Sequence, residues 1–208
     1  VFTVLNLLSM GLQVNIPKVL KKLSHIKIVL LILFWGWVVG PALGYLIIYK
    51  LPMAEPFANV ILLTSLAPCA PFLPLVVDKA KGEVDFAGAL IPLAALGTVI
   101  FMPLMAPYMI TGISISAMAL AKPLIITILI PLLIGAILKT YAEQLADKLF
   151  GPVKKLAGLS TLLTVIFCLI IYTDEMIETA GSFALLSMTI FMVVLGALAY
   201  QFGIGLQH

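Results

Sequence analysis

The sequence TSLAPCAPFLPLVVDKAKGEV, residues 64–84, decides how the rest of the chain is read. It starts inside an apolar segment and places prolines at 68, 71 and 74. Each proline lacks a backbone N–H and clashes with the preceding turn, so a regular helix cannot run through all three. Water is absent from a bilayer core, and a broken helix is kept there only where protein or a wet cavity covers the freed groups. Secondary transporters build ion and substrate sites from such breaks. A single proline would fit a merely kinked structural helix, but three at this spacing favour a functional break. The candidate site is therefore Thr64, Ser65, Pro68, Cys69, Ala70, Pro71 and Pro74. The prolines act in it as architects of the backbone and not as ligands. Thr64 and Ser65 either offer hydroxyls to a cavity or bond back to their own helix.

Composition sets the surroundings of this stretch. Of 208 residues, 63% are hydrophobic and 10% are charged, where soluble domains carry about 25% charged residues. The charges fall in short islands between long apolar runs. This is the pattern of an integral membrane protein with several helical spans. The net charge of +3 comes from lysine alone, as there is no arginine. Nothing resembles the basic, aromatic-interleaved face of a nucleic-acid binder. Cys69 and Cys168 both sit in apolar runs and make neither a metal spacing nor a disulfide framework. No nucleophile elbow, HExxH, phosphate loop or intramembrane carboxylate pair is present, which argues against an enzyme. No cofactor is implied.

Taken in order, the sequence predicts seven spans. The first covers residues 1–15, which reach only about 22 Å, less than a bilayer core of about 30 Å. The next are expected at 28–49, at 57–77 with the break, at 86–110 with Pro92, Pro103 and Pro107, and at 122–141 with a kink near Pro131. AEQLADKLFGPVKK, residues 142–155, reads as a short amphipathic surface helix ended by Gly151-Pro152. The last two spans are expected at 156–173 and 183–202. Trp35, Trp37, Tyr45, Tyr49, Tyr108 and Tyr172 read as interface-belt or packing aromatics. Asp78, Glu83 and Asp85 read as solvated ends beside Lys79 and Lys81. The chain starts at Val1 without a signal-peptide pattern, and reads as part of a longer protein.

Lysine placement orients the spans. Lys18, Lys21, Lys22, Lys27, Lys79, Lys81, Lys139, Lys148, Lys154 and Lys155 fall on one side, and Lys50 and Lys122 on the other. The rich side is expected to be cytoplasmic, in the plasma (inner) membrane. There is also an internal echo. Val38-Val39-Gly40-Pro41-Ala42-Leu43-Gly44-Tyr45 and Val193-Val194-Leu195-Gly196-Ala197-Leu198-Ala199-Tyr200 share the pattern VVxxALxY. The two copies run in opposite directions across the membrane, as inverted repeats do. Residues 1–121 are expected to hold most of a first repeat and 122–208 an incomplete second one, within one transmembrane domain.

Three stretches carry a resemblance to a known family. They are MGLQVNIPKVLK at 10–21, LAPCAPFLPLVVDKAKGEV at 66–84 and ILIPLLIGAILKTYAEQLADKL at 128–149. Together they resemble the bile acid:sodium symporter superfamily over nearly the whole chain, as a divergent member covering family helices 2 to 8 of ten. The resemblance implies an all-α polytopic bundle of two inverted five-helix repeats. It implies broken crossing helices at mid-membrane, the first of them at residues 64–77. It also implies secondary transport of a small organic anion.

The match is incomplete at the ion ligands. Aligned through Ala80-Lys81-Gly82, the family's Ser-Asn pair falls on Leu73-Pro74, its Thr on Val77, and a hydroxyl-bearing pair of the next helix on Leu90-Ile91. Sodium needs hard oxygen ligands, which these side chains lack. Sodium as the coupling ion therefore has no support from matched ligands, although main-chain carbonyls freed by the prolines remain available. Two further readings stay open. One is a non-transporting fragment or interaction subunit of a membrane complex. The other is an arsenite-type efflux carrier, since Cys69 falls where related carriers place a cysteine and a thiolate suits a soft metalloid. The partners expected are the lipid bilayer and a small organic anion; the oligomeric state is left open.

Overall fold

The computed structural model describes residues 1–14, 16–17, 19, 24, 26–67, 84–110, 116–174, 179 and 184–205. Helix dominates, and no strand occurs among the described residues. The first element, α1 (Phe2–Gly11), is short and apolar. Helix α2 (Ile26–Phe34) passes into a wide π turn at Trp35–Val39 and then into α3 (Gly40–Lys50). Pro41 explains the π turn. It offers no N–H to the carbonyl of Trp37 four residues earlier, and its ring would strike that carbonyl. Winding one residue more per turn relieves both problems, and the Gly40 N–H bonds to the Trp35 carbonyl five residues back.

The same device recurs later in the chain. Helix α6 (Ala117–Leu124) starts at Ser116, whose hydroxyl accepts from the Ala119 N–H at 3.2 Å. It runs through a second π turn at Ile125–Leu129 into α7 (Ile130–Tyr141), where Pro131 is the cause. The kink expected near Pro131 is thus a π turn just before it. Between these come α4 (Glu55–Ser65), with Pro56 in its first turn, and α5 (Val84–Met109), which keeps Pro92, Pro103 and Pro107 within one helix. The last two are α8 (Glu143–Ile171) and α9 (Ala184–Gly205).

Among the described residues, five helical tracts are long and apolar enough to cross a bilayer: Val29–Lys50, Leu90–Met109, Ala117–Tyr141, Glu143–Ile171 and Ala184–Gln201. With the shorter α1 and α4 they follow the order of the expected spans. The fold is an all-α polytopic bundle. One expectation fails. Gly151-Pro152 does not end a surface helix, because α8 runs unbroken from Glu143 to Ile171. Pro152 deprives the Lys148 carbonyl of its helical partner. Lys148 is exposed in the polar first part of α8, where water can replace that bond.

Two groups of helices can be told apart by their contacts. Helix α1 packs on α7 and α8, and these two on each other. Helix α3 packs on α4, and α9 on both. In that second group Leu43, Ile47, Ile61 and Phe191 form a buried cluster. Helix α5 touches both groups. It meets α2 and α4 on one side and the second π turn on the other. Leu7, Met10, Ile91, Ala95 and Leu132 join α1, α5 and α7 in a further cluster. The faces left outside are apolar, as at Leu162, Phe167 and Ile170 of α8, which are all exposed. That suits a lipid solvent, where outward apolar side chains cost nothing.

Helices α1 and α7 meet backbone to backbone. Gly11 and Gly135 face each other so closely that a Cβ on Gly135 would lie 2.7 Å from the Gly11 Cα. Without a hydrophobic force between helices in lipid, such backbone proximity is what small residues contribute to association.

A candidate transport site at the end of a half-length helix

Helix α4 has eleven residues, about 16 Å at 1.5 Å per residue, or half of a bilayer core of about 30 Å. Helix α3, from Gly40 to Lys50, is also eleven residues long. Gly40 lies at the middle of the apolar tract Val29–Lys50. Ser65, the last residue of α4, packs there. A Cβ on Gly40 would lie 3.1 Å from the Ser65 carbonyl oxygen, and one on Gly44 would lie 3.3 Å from the Ser65 Cβ and 3.4 Å from its Oγ. Gly40 and Gly44, one turn apart, form a small-residue groove into which Ser65 fits. Ser65 is only 2% exposed and Leu66 is fully buried. Helix α4 ends at Ser65, three residues ahead of Pro68, and the rest of the break expected from the sequence lies outside the described residues.

The helix end is closed in an orderly way. The Leu66 N–H donates to the Leu63 carbonyl at 3.2 Å, and the Ala67 N–H to the Thr64 carbonyl at 3.1 Å. These are the tight bonds of a last 3₁₀ turn. Thr64 Oγ1 donates to the Val60 carbonyl at 2.8 Å, and Ser65 Oγ to the Leu62 carbonyl at 2.7 Å. Of the two readings of these hydroxyls, the back-bonded one is what the structure displays. Their protons are taken by their own helix, while each oxygen keeps lone pairs that can accept. Pro68, Cys69, Ala70, Pro71 and Pro74 lie outside the described residues, as do Asp78 and Glu83.

Trp37 stands beside this helix end and is no belt residue. It is 6% exposed and stacks on Phe101 of α5, with ring centroids 5.1 Å apart and planes 27° from parallel. The benzo edge of its indole lies flat over Gly97, where a Cβ would overlap the ring. It shares a buried cluster with Leu62 and Leu66 of the α4 end and Ala94, Ala106 and Met109 of α5. Its indole Nε1–H has no hydrogen-bond partner among the described residues. Tyr49 and Tyr108, by contrast, are well exposed, as a belt reading expects.

A model of the Sodium Bile acid symporter family matches residues 1–180. The chain belongs to that family. It is also similar to the probable sodium/metabolite cotransporter BASS3, chloroplastic, of Arabidopsis thaliana, with 25% identity over 167 residues. That match covers 80% of this chain and 39% of the relative's length. A member of a symporter family with this many apolar helices is an integral membrane protein, and its family is one of transporters.

For this sodium bile acid symporter family member, the ligand inventory at the described helix end is main-chain and hydroxyl oxygen. Among the described residues no group of three or more His, Cys, Asp or Glu side chains could hold a metal ion. Besides Ser65, the described residues bury three further hydroxyls that the sequence reading did not single out, those of Ser9, Thr98 and Ser187. Thr98 of α5 donates to the Ala94 carbonyl at 2.8 Å, and Ser187 of α9 is fully buried. Nothing in their local sequence marks them, because their burial is a matter of which helix lies opposite. Trp37 carried a usable signal. A proline four residues after it forces a π turn, and such turns cluster at functional sites.

Proposed function

We propose that this chain forms the transport bundle of a secondary transporter that moves a small organic anion by alternating access. The observation that carries the reading is the eleven-residue α4, whose last residue is seated on Gly40 and Gly44 in the middle of the apolar tract Val29–Lys50. Half-helix ends at that depth are where secondary transporters hold substrate and coupling ions. The two helix groups, joined through α5, supply two bodies that can rock about the site. The C-terminal end of α4 carries the negative end of the helix dipole, which favours a cation nearby. Sodium coupling through main-chain and hydroxyl oxygens is the finer part of the proposal. The side-chain ligands expected of the family are absent at Leu73, Pro74 and Val77. Lysine sorting supports an orientation with the end that carries Lys139, Lys148, Lys154 and Lys155 on the cytoplasmic side.

Uptake of labelled cholate, and of small carboxylates, into proteoliposomes made with the full-length protein tests this. We expect uptake that rises under an inward sodium gradient. Absence of flux for every organic anion, under sodium and proton gradients alike, would overturn the proposal.

A further inference from the structure

We infer that Trp37 is a specificity-determining residue whose indole N–H donates a hydrogen bond to a carboxylate oxygen of the transported anion. This rests on the transport reading above. An indole nitrogen can only donate. That of Trp37 is buried and has no partner among the described residues, although buried Trp side chains usually find one. Leaving such a donor unpaired is costly in any interior, and more so at membrane depth, where water is scarce. An acceptor that arrives with a ligand accounts for a buried donor that has no partner among the described residues.

The surroundings define what kind of ligand this is. The apolar cluster around Trp37 is made of Leu62, Leu66, Ala94, Ala106 and Met109, with Phe101 stacked on the ring. All of the lysines lie in the polar islands or at span ends. An inorganic anion would lose its hydration here and gain one neutral donor. An organic acid with an apolar body would gain contact from the cluster as well, while its oxygen meets the N–H. The π turn matters to this placement. It sets Trp37 on a wider turn whose register Pro41 enforces, and the Gly97 face fixes the ring by leaving no room for any other side chain. The indole is therefore held before a ligand comes, so little ordering remains when it binds.

The experiment uses the full-length protein in nanodiscs, with cholate as the probe. The chain's two tryptophans are Trp35 and Trp37, so a Trp35→Phe background leaves one indole in this region to assign. ¹⁵N-indole NMR then reads the hydrogen bonding of Trp37 directly, while bound radiolabelled cholate is counted in the same sample. We expect cholate to move the Trp37 N–H resonance downfield. We expect Trp37→Phe to weaken cholate binding by about tenfold or more, as for a bond to a charged acceptor. Replacing the indole with benzothienylalanine, which keeps the shape and lacks the N–H, should weaken it equally. A resonance unchanged with cholate bound would overturn the inference while the transport reading stood. So would full affinity in the benzothienyl form, or an N–H already bonded before cholate is added, which would assign the partner to a resident water. Failure of cholate and every other organic anion to bind would sink the transport reading, and this inference with it.

Discussion

The amide of Asn6 donates to the hydroxyl of Thr161 at 3.1 Å, across the contact of α1 and α8. The two positions are 155 residues apart, the same offset that separates Val38 from Val193 in the VVxxALxY echo. In a structure with two related halves, a residue touches its own counterpart only beside the symmetry axis. The Thr161 hydroxyl donates to the Ala157 carbonyl at 2.7 Å, and Asn6 also donates to the Phe2 carbonyl at 3.0 Å. The pair thus closes a short polar chain inside an apolar contact.

The pair should be exchangeable. If the twofold relation suggested by the shared offset holds, Asn6→Thr combined with Thr161→Asn should keep thermal stability and uptake, because each residue then occupies its counterpart's place. Asn6→Leu should lower stability, and a double-mutant cycle with Thr161→Ala should give a coupling of about 0.5–1.5 kcal/mol, the range of interhelical hydrogen bonds in membranes. An exchange variant that behaves no better than Asn6→Leu would count against the twofold relation.

Gly11 and Gly135 leave no space for any side chain. Gly11→Ala would press a methyl group on the Leu132 carbonyl and, at 2.9 Å, on the Gly135 Cα. Backbone cannot step aside as a side chain can. Each substitution should cost about 1–3 kcal/mol, as overpacking does. Gly158→Ala, where nothing lies within 4 Å, is the matched control in α8 and should leave the melting temperature in detergent unchanged.

Gly97→Ala should collide with the Trp37 ring, and the collision has a specific remedy. The atoms nearest a Cβ at 97 belong to the benzo edge, and Cζ3 would be 2.9 Å away. Phenylalanine lacks that edge. Gly97→Ala with Trp37→Phe should therefore be more stable than Gly97→Ala alone, a non-additivity that thermal scans of the three variants would reveal.

Ser65 separates a packing role from a ligand role. Ser65→Ala keeps the fit against Gly40 and Gly44 and loses the bond to Leu62, at a cost of about 1 kcal/mol or less. Ser65→Leu would fill the groove and should prevent assembly. If the Ser65 oxygen accepts the coupling ion, Ser65→Ala will raise the sodium concentration for half-maximal uptake with little change in melting temperature. An unchanged sodium dependence would confine Ser65 to packing.

A helix end near Ser65 was legible from local chemistry, because prolines as closely spaced as Pro68, Pro71 and Pro74 leave successive turns without N–H donors, whereas the wider-spaced Pro92, Pro103 and Pro107 are carried within α5. The order of the spans was legible for a similar reason, since apolar length is a property of the segment alone. Gly151-Pro152 was misread because the same chemistry permits two outcomes. Where water can take the orphaned carbonyl, a proline is absorbed into a helix, as in α8. Trp37 read as a belt or packing residue because tryptophan suits both an interface and an interior. What decides is Gly97, sixty positions along the chain and on another helix. The meeting of Gly11 with Gly135 carries no periodic signal at all.

Helix α8 also has a consequence for the lipid around it. Its 29 residues make a rod of about 43 Å, against a hydrocarbon thickness of about 30 Å, and ordinary tilts near 20° shorten it only slightly. Roughly two turns therefore stand clear of the acyl chains. Glu143 and Asp147 lie at that end, both held by Lys139 at 3.0 and 2.8 Å. The projecting end is linked to α7 by these ion pairs and by the packing of the two helices. A tilt of α8 in response to changed acyl-chain length would therefore carry α7 with it, which gives membrane thickness a mechanical grip on one of the two helix groups.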